Sequence, residues 1–479
     1  MNKKFIYMLA IGALSLASCE KELDLAPYNA VAQEQAFTNE SDFTNAVRGA
    51  YQGLRLGNYY GGTDGGSMII TPDLLADNLI INSQGRQSQQ NFFLYMYTAN
   101  NTWGLWNNAY TAILRANKIL ENIDKLKDGA FKSNMKSEAL AIRALAHFDL
   151  LRVYAKRYVG ASNSDLGVPY VTSSDPTLLP SRTPLVESYN KVVADFLAAE
   201  AGIAATNEVG RLNKAAVQGL LGRVYLYMGE WQKAVDKSTA AIESAPANRK
   251  LATRTQFPMI WLDQTEQEVL FKLRIQDADG IPVGVGYGQS SPGGVRAEYS
   301  PTFELVNAYT STDIRKDVYI GQTTFNGKDF NYIKKYAGRA AGNANVVDVK
   351  VIRLSEVYLN RAEAYARLNN DVNALADLNE IRSRRYSDFD PVTSVLTGQA
   401  LLNEIMKQRR LELAFEGHRF FDLKRLGLPV ERPSSGDMID GSGAAPAVRG
   451  IEAGSPKFAF PIPQFEMDVN PNMQQNEGY

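Results

Sequence analysis

One cysteine and two histidines among 479 residues remove several chemistries at once. With a single cysteine no disulfide can close within the chain, so an exported fold must be held together by its core alone. His147 and His418 stand far apart in the sequence, and together with one cysteine they make neither a zinc-type ligand cluster nor a cysteine–histidine catalytic pair. No nucleophile elbow accompanies any serine. Charge of one sign is also missing: 51 Lys+Arg face 52 Asp+Glu, so no basic excess gathers phosphates and nucleic acid is not an expected partner. Beyond the N-terminus no apolar run reaches the roughly 20 residues that a membrane-spanning helix needs. Gly284, Gly286 and Gly288 form a GxGxG pattern, but neither a Lys-Ser/Thr nor a helical pattern follows it, which makes it a surface loop rather than a nucleotide site. The 52 acids offer many pairs for glycoside hydrolysis, yet none stands in a recognisable setting. No catalytic residue, metal or cofactor is assigned.

What is present begins with MNKKFIYMLAIGALSLASCEKELD. Lys3 and Lys4 precede an uncharged run from Phe5 to Ser18, too short to span a bilayer and suited to a secretory signal peptide. Leu16-Ala17-Ser18-Cys19 resembles the bacterial lipobox. In that reading residues 1–18 are removed, and the Cys19 thiolate takes a diacylglycerol. The alternative is an ordinary signal peptide with an incidental cysteine. Acyl chains hold by buried methylene area, at about 0.8 kcal/mol per CH₂, so two or more make a stable anchor. Residues 19–31 then form a tether, and the fold begins near Ala32.

The remaining 45% hydrophobic content describes a folded globular chain. Apolar residues recur at three- and four-residue steps over about 104–158, 211–246, 349–385 and 400–426, which predicts helices. In the first of these, Ser137 and Glu138 read as the first turn of a second helix. In the second, Leu221-Gly222, Tyr225, Gly229, Trp231, Ala234, Ala241 and Pro246 occupy the spacing of a tetratricopeptide repeat. Gly222 and Ala234 would let two helices approach, with Tyr225 and Trp231 filling the groove between them. The third repeats the skeleton at Ala362, Tyr365, Asn369, Ala374 and Ile381, with Asn369 taking the left-handed turn that Gly229 holds. The two units lie far apart in sequence, so an irregular helical superstructure with long insertions is expected rather than a tandem array. The insertions are loop-rich, over about 57–101, 250–345 and 429–479, and Gln267–Ile275 reads as a short strand. The fold class is mainly α: a tetratricopeptide-like helix-pair superhelix with a loop-rich, partly β portion, making one domain over residues 32–479.

Glu404–Gly427 interleaves Arg409, Arg410, Arg419, Lys424 and Arg425 with Glu404, Glu412, Glu416 and Asp422. Such mixing points to ion pairs within a packed helix pair rather than to an anion-binding patch. Aromatic rings in the loop regions suit a different task. Sugar rings offer apolar C–H faces that stack on aromatic side chains, while arginine and amides hold the hydroxyls. Trp103 and Trp106 lead into a helix and read as packing. The candidate ligand residues are Tyr59, Tyr60, Arg86, Trp261 and Tyr287. Tyr59-Tyr60 reads as a displayed pair beside glycines, and Arg86 lies in the polar stretch INSQGRQSQQN.

Four segments carry a family resemblance: SEALAIRALAHFDLLRVYAKRY, IRLSEVYLNRAEAYARL, RRLELAFEGHRFFDLKRLG and the ending FAFPIPQFEMDVNPNMQQNEGY. With the lipobox they span Cys19 to Tyr479, and the whole chain resembles the SusD/RagB nutrient-binding lipoproteins of Bacteroidetes outer membranes. The resemblance implies a non-catalytic protein on the cell surface, anchored through Cys19. It would capture an oligosaccharide, or sometimes a peptide, and deliver it to a SusC-like TonB-dependent transporter. Glu20-Lys21-Glu22 looks like the signal that sends such lipoproteins to the outer leaflet. A tetratricopeptide-like envelope scaffold without a small ligand is the competing reading, and a surface glycoside hydrolase comes third.

Overall fold

The computed structural model describes residues 36–62 and 66–479. The expected signal peptide, Cys19 and the expected tether lie outside the described residues. Ten helices of eight or more residues occur among the described residues: α1 Glu40–Leu54, α2 Leu105–Asn122, α3 Ala130–Tyr154, α4 Leu185–Gly202, α5 Lys214–Met228, α6 Trp231–Ser244, α7 Leu354–Arg367, α8 Asp371–Arg385, α9 Gly398–Glu412 and α10 Arg419–Leu426. Each of α1 to α8 packs on the next, and α9 packs on both α7 and α8. The result is a stack of helix pairs; α1 and α4 lie outside the four stretches whose periodicity predicts helices.

Local chemistry sets the ends of several helices. Asn39 caps α1 by accepting from the backbone N–H of Ser41 and Asp42, while the Asp42 carboxylate accepts from the backbone of Asn39. α5 ends at Gly229, with φ of 74°, and the matching turn after α7 holds Asn369 at 58°. An L side chain pays to enter this left-handed region, so Gly229→Ala is expected to cost about 1 kcal/mol in denaturant unfolding. At Gly222 a Cβ would stand 3.0 Å from Ser238 Oγ on α6, so this glycine is what lets α5 and α6 approach.

One helix starts earlier than its sequence suggests. α3 begins at Ala130, and Ser137 and Glu138 lie buried inside it. Glu138 accepts from Arg211 and from the Tyr51 hydroxyl, the latter at 2.7 Å, so a polar residue that looks like a helix start is satisfied by distant partners instead. From Ser137 onward α3 is buried on every side, which explains its weak amphipathic pattern.

Strands are short and pair two at a time. They are β1 Leu79–Ile81, β2 Val269–Leu273, β3 Gln289–Ser291, β4 Gly294–Arg296, β5 Tyr299–Pro301, β6 Ile320–Phe325, β7 Lys328–Ile333, β8 Val349–Arg353, β9 Val430–Glu431 and β10 Gly450–Ile451. The antiparallel pairs are β1–β5, β2–β8, β3–β4, β6–β7 and β9–β10. The β2–β8 pair, with Leu273 opposite Val349, closes the neck of the long insertion between α6 and α7. Those two helices therefore pack directly against each other, and the two repeat units that are distant in sequence are neighbours in space.

The charged run after residue 404 is indeed internal. Glu412, fully buried, meets Arg385 at 2.9 Å, Arg353 at 3.0 Å and Arg315 at 3.3 Å. Glu268 takes Arg385 at 2.7 Å and Arg353 at 3.0 Å, Asp313 takes Arg315 at 2.7 Å, and Glu416 takes Arg353 at 2.6 Å. Burial alone would raise the Glu412 carboxyl, but the surrounding guanidiniums hold it well below the usual carboxylate range. Arg409 and Arg425 share Asp422, both at 2.8 Å, and Arg425 reaches Glu363 on α7 at 2.7 Å.

Candidate functional site

Four of the five expected ligand side chains lie in the core. Tyr59 is 0% exposed, and its hydroxyl donates to Asp149 Oδ2 at 2.7 Å; Tyr60 donates to the same oxygen at 2.9 Å. Their rings pack 4.8 Å apart. Asp149 projects from the buried α3, and with Arg152 these hydroxyls satisfy it. The pair is therefore not displayed: a buried carboxylate needs donors, and the tyrosines supply them. Trp261 is 3% exposed, and its ring is approached by Lys335 Nζ at 4.1 Å, Arg353 at 5.1 Å and Lys350 at 5.6 Å from the centroid. Cations, not a free surface, occupy the surroundings of that ring. Tyr287 is buried too; it donates to the Ile69 carbonyl at 2.6 Å and stacks on Tyr336.

Arg86 alone among the five reaches the surface, with its side chain 42% exposed. It pairs with Glu298, which is nearly buried, and both Nε and Nη2 engage Oε1. Glu298 Oε2 has no hydrogen-bond partner among the described residues. Loop residues around this pair are rich in hydrogen-bonding groups. Asn326, between β6 and β7, reaches toward Gln84 at 3.5 Å; Arg296 on β4 donates to Gln289 on β3 at 2.7 Å; the Ser83 N–H donates to Asp437 at 2.7 Å.

A half-buried ring in the same loop-rich layer escapes the sequence reading. Tyr332 on β7 stands opposite Gly321 on β6; a Cβ at Gly321 would collide with the ring and one at Gly288 would crowd it. The two glycines let the ring lie across the backbone. In DFNYI this tyrosine looks like any strand residue, and only the glycine at its cross-strand partner could have singled it out. A ring lying on glycine backbone, in a layer that also carries amide and guanidinium groups, can stack on a sugar face while such groups hold hydroxyls. No group of three or more His, Cys, Asp or Glu poised for a metal occurs among the described residues. No helix among them is long and apolar enough to cross a membrane.

A stacked helix-pair scaffold carrying a loop-rich layer of short hairpins is the architecture of one class of helical-repeat proteins. The chain belongs to the SusD family. Residues 287–479 match the family model described as the SusD family, and residues 23–226 match that described as "Starch-binding associating with outer membrane". A SusD superfamily structure from Bacteroides thetaiotaomicron is 30% identical with a TM-score of 0.78, over 91% of this chain and 99% of that one. Another from Bacteroides vulgatus is 26% identical with a TM-score of 0.81, over 92% and 100%. SusD-like protein P2 of Formosa agariphila is 25% identical over the full length of both chains. The starch-binding protein SusD of Bacteroides thetaiotaomicron is 35% identical over 132 residues, 28% of this chain and 22% of its own.

Proposed function

We propose that this protein binds an oligosaccharide or polysaccharide nutrient at the surface of the outer membrane and hands it, unaltered, to a SusC-like TonB-dependent transporter. Lipid on Cys19 holds it there, facing outward. Membership in the SusD family carries this reading, one matching model being named for starch binding and the outer membrane and one relative for starch binding. The exposed Arg86 against Glu298, with Gln84, Gln289, Arg296 and Asn326 near it and Tyr332 as a ring, supports the loop-rich layer as the ligand face.

Calorimetric titration against a panel of polysaccharides and peptides tests it. At least one polysaccharide is expected to bind saturably, with no smaller sugar released. Arg86→Ala and Tyr332→Ala should each weaken that binding about tenfold, the loss of one charge-assisted hydrogen bond or of one stacked ring. Tyr332→Ala should leave the unfolding midpoint near that of the parent protein, whereas Arg86→Ala strands the buried Glu298 and should lower it, so its affinity is read on the folded protein. Binding of no polysaccharide would overturn the proposal in favour of a scaffold, peptide binding alone would change its ligand, and product release would remove the claim of no turnover.

A further inference from the structure

A cavity of about 490 Å³ opens where α3 and α10 end, and it shares no residue with the surface around Arg86. The chain after α3 contributes Lys156 and Arg157, α10 and its cap contribute Lys424 and Gly427, and Phe458, Asn476 and Glu477 complete much of the wall. Its volume lies within the range of small-molecule sites, roughly 300–1,000 Å³.

The charges in this wall are not balanced in the way those of the core are. Lys156 sits between Asp165 at 3.3 Å and Glu477 at 3.5 Å, so its charge is met. Lys424 is buried and has no carboxylate partner among the described residues. Its ammonium donates to the Arg152 carbonyl at 2.7 Å and to the Ala155 carbonyl, capping the end of α3. Burial and the nearby Arg152 push it down to about 7, so an anion nearby would favour its charged form. Arg157 is exposed and makes no ion pair or hydrogen bond among the described residues. Its guanidinium lies against Gly427, where any Cβ would collide with Nη1. Gly427, at φ of 67°, thus both ends α10 and leaves the bay that the guanidinium occupies. Lys156 already engages both acids of the wall, Asp165 and Glu477, which leaves Arg157 as its open charge. The open charge is a guanidinium, whose planar fork fits an oxyanion. Asp165 and Glu477 line the same wall and oppose a run of anions, so one anionic group fits better than a polyanion. Phe458, stacked on Phe420, gives the wall an apolar patch.

Resting on the glycan-binding reading above for the choice of a sugar, we propose that this cavity is a second binding site, taking a small sugar that bears a single oxyanion, a carboxylate or a sulfate ester, with the Arg157 guanidinium as its charge partner. The full-length protein is titrated at low ionic strength with glucuronate, glucose 6-sulfate and glucose. At least one of the two anionic sugars is expected to bind saturably and glucose is not; the tighter of the two names the anionic group. Arg157→Gln should weaken the bound acid at least tenfold, the scale of one charge-assisted bond. Arg157→Lys should retain part of the affinity, and neither variant should move the unfolding midpoint. Polysaccharide binding that depends on Arg86 should be unchanged in Arg157→Gln, so the two sites succeed or fail separately. Glucose binding as tightly as the acids, acids bound equally by Arg157→Gln, or no acid bound at millimolar concentration would each overturn the proposal.

Discussion

Glu412→Ala is expected to cost about 3–5 kcal/mol of stability, the scale of a buried ion pair broken on one side. The variant leaves Arg315, Arg353 and Arg385 buried with one carboxylate fewer among them. Glu268, Asp313 and Glu416 remain, but each already serves a guanidinium, so they do not replace what is lost. The network ties α8 and α9 to β8 and to Arg315 of the insertion, so its failure should loosen the scaffold and the loop layer together. Denaturant unfolding of the parent, Glu412→Ala and Glu412→Gln would measure it. Glutamine keeps the volume and removes the charge, so it should recover only a minor part of the loss. If both variants lost less than about 1 kcal/mol, the cluster would be marginal rather than central.

Trp261→Ala is expected to be nearly as damaging, at about 3–5 kcal/mol, because it empties a large buried volume. It also takes the ring away from Lys335, a buried lysine whose pKa burial pushes down to about 7 and whose ammonium sits 4.1 Å from the ring centroid. Glycan affinity of the molecules that remain folded should be unchanged. Unfolding curves read beside calorimetry separate the two effects. Loss of binding at unchanged stability would instead make Trp261 a ligand residue and reverse its placement in the core.

Much of the scaffold was legible because its cues are local. Gly222, Ala234 and Gly229 sit within one repeat, and the close approach and left-handed turn they imply are both present. The start of α3 was misplaced because Ser137 and Glu138 carry first-turn chemistry, and nothing nearby in sequence announces that Arg211 and Tyr51 will satisfy the acid. Tyr59 and Tyr60 failed for the same reason at longer range. Neighbouring glycines suggest display, whereas Asp149, 90 positions from Tyr59, draws both hydroxyls inward. Arg86, expected as a ligand residue, reaches the surface because a polar stretch of loop has few ways to bury a guanidinium. Tyr332 was invisible because its setting depends on two glycines brought together by a strand pairing.

The neck formed by β2 and β8 has a consequence for how such a protein can change. Leu273 and Val349 face each other across that pair, so residues 274–348 leave the helix stack and return at one point. The stack acts as a socket and the segment as a cartridge seated in it: Arg315, Tyr319, Lys335 and Tyr336 bond Glu412, Ala414 and Phe415 at and just beyond the end of α9. Loops between those anchors can thus change in length and sequence while the socket keeps its shape.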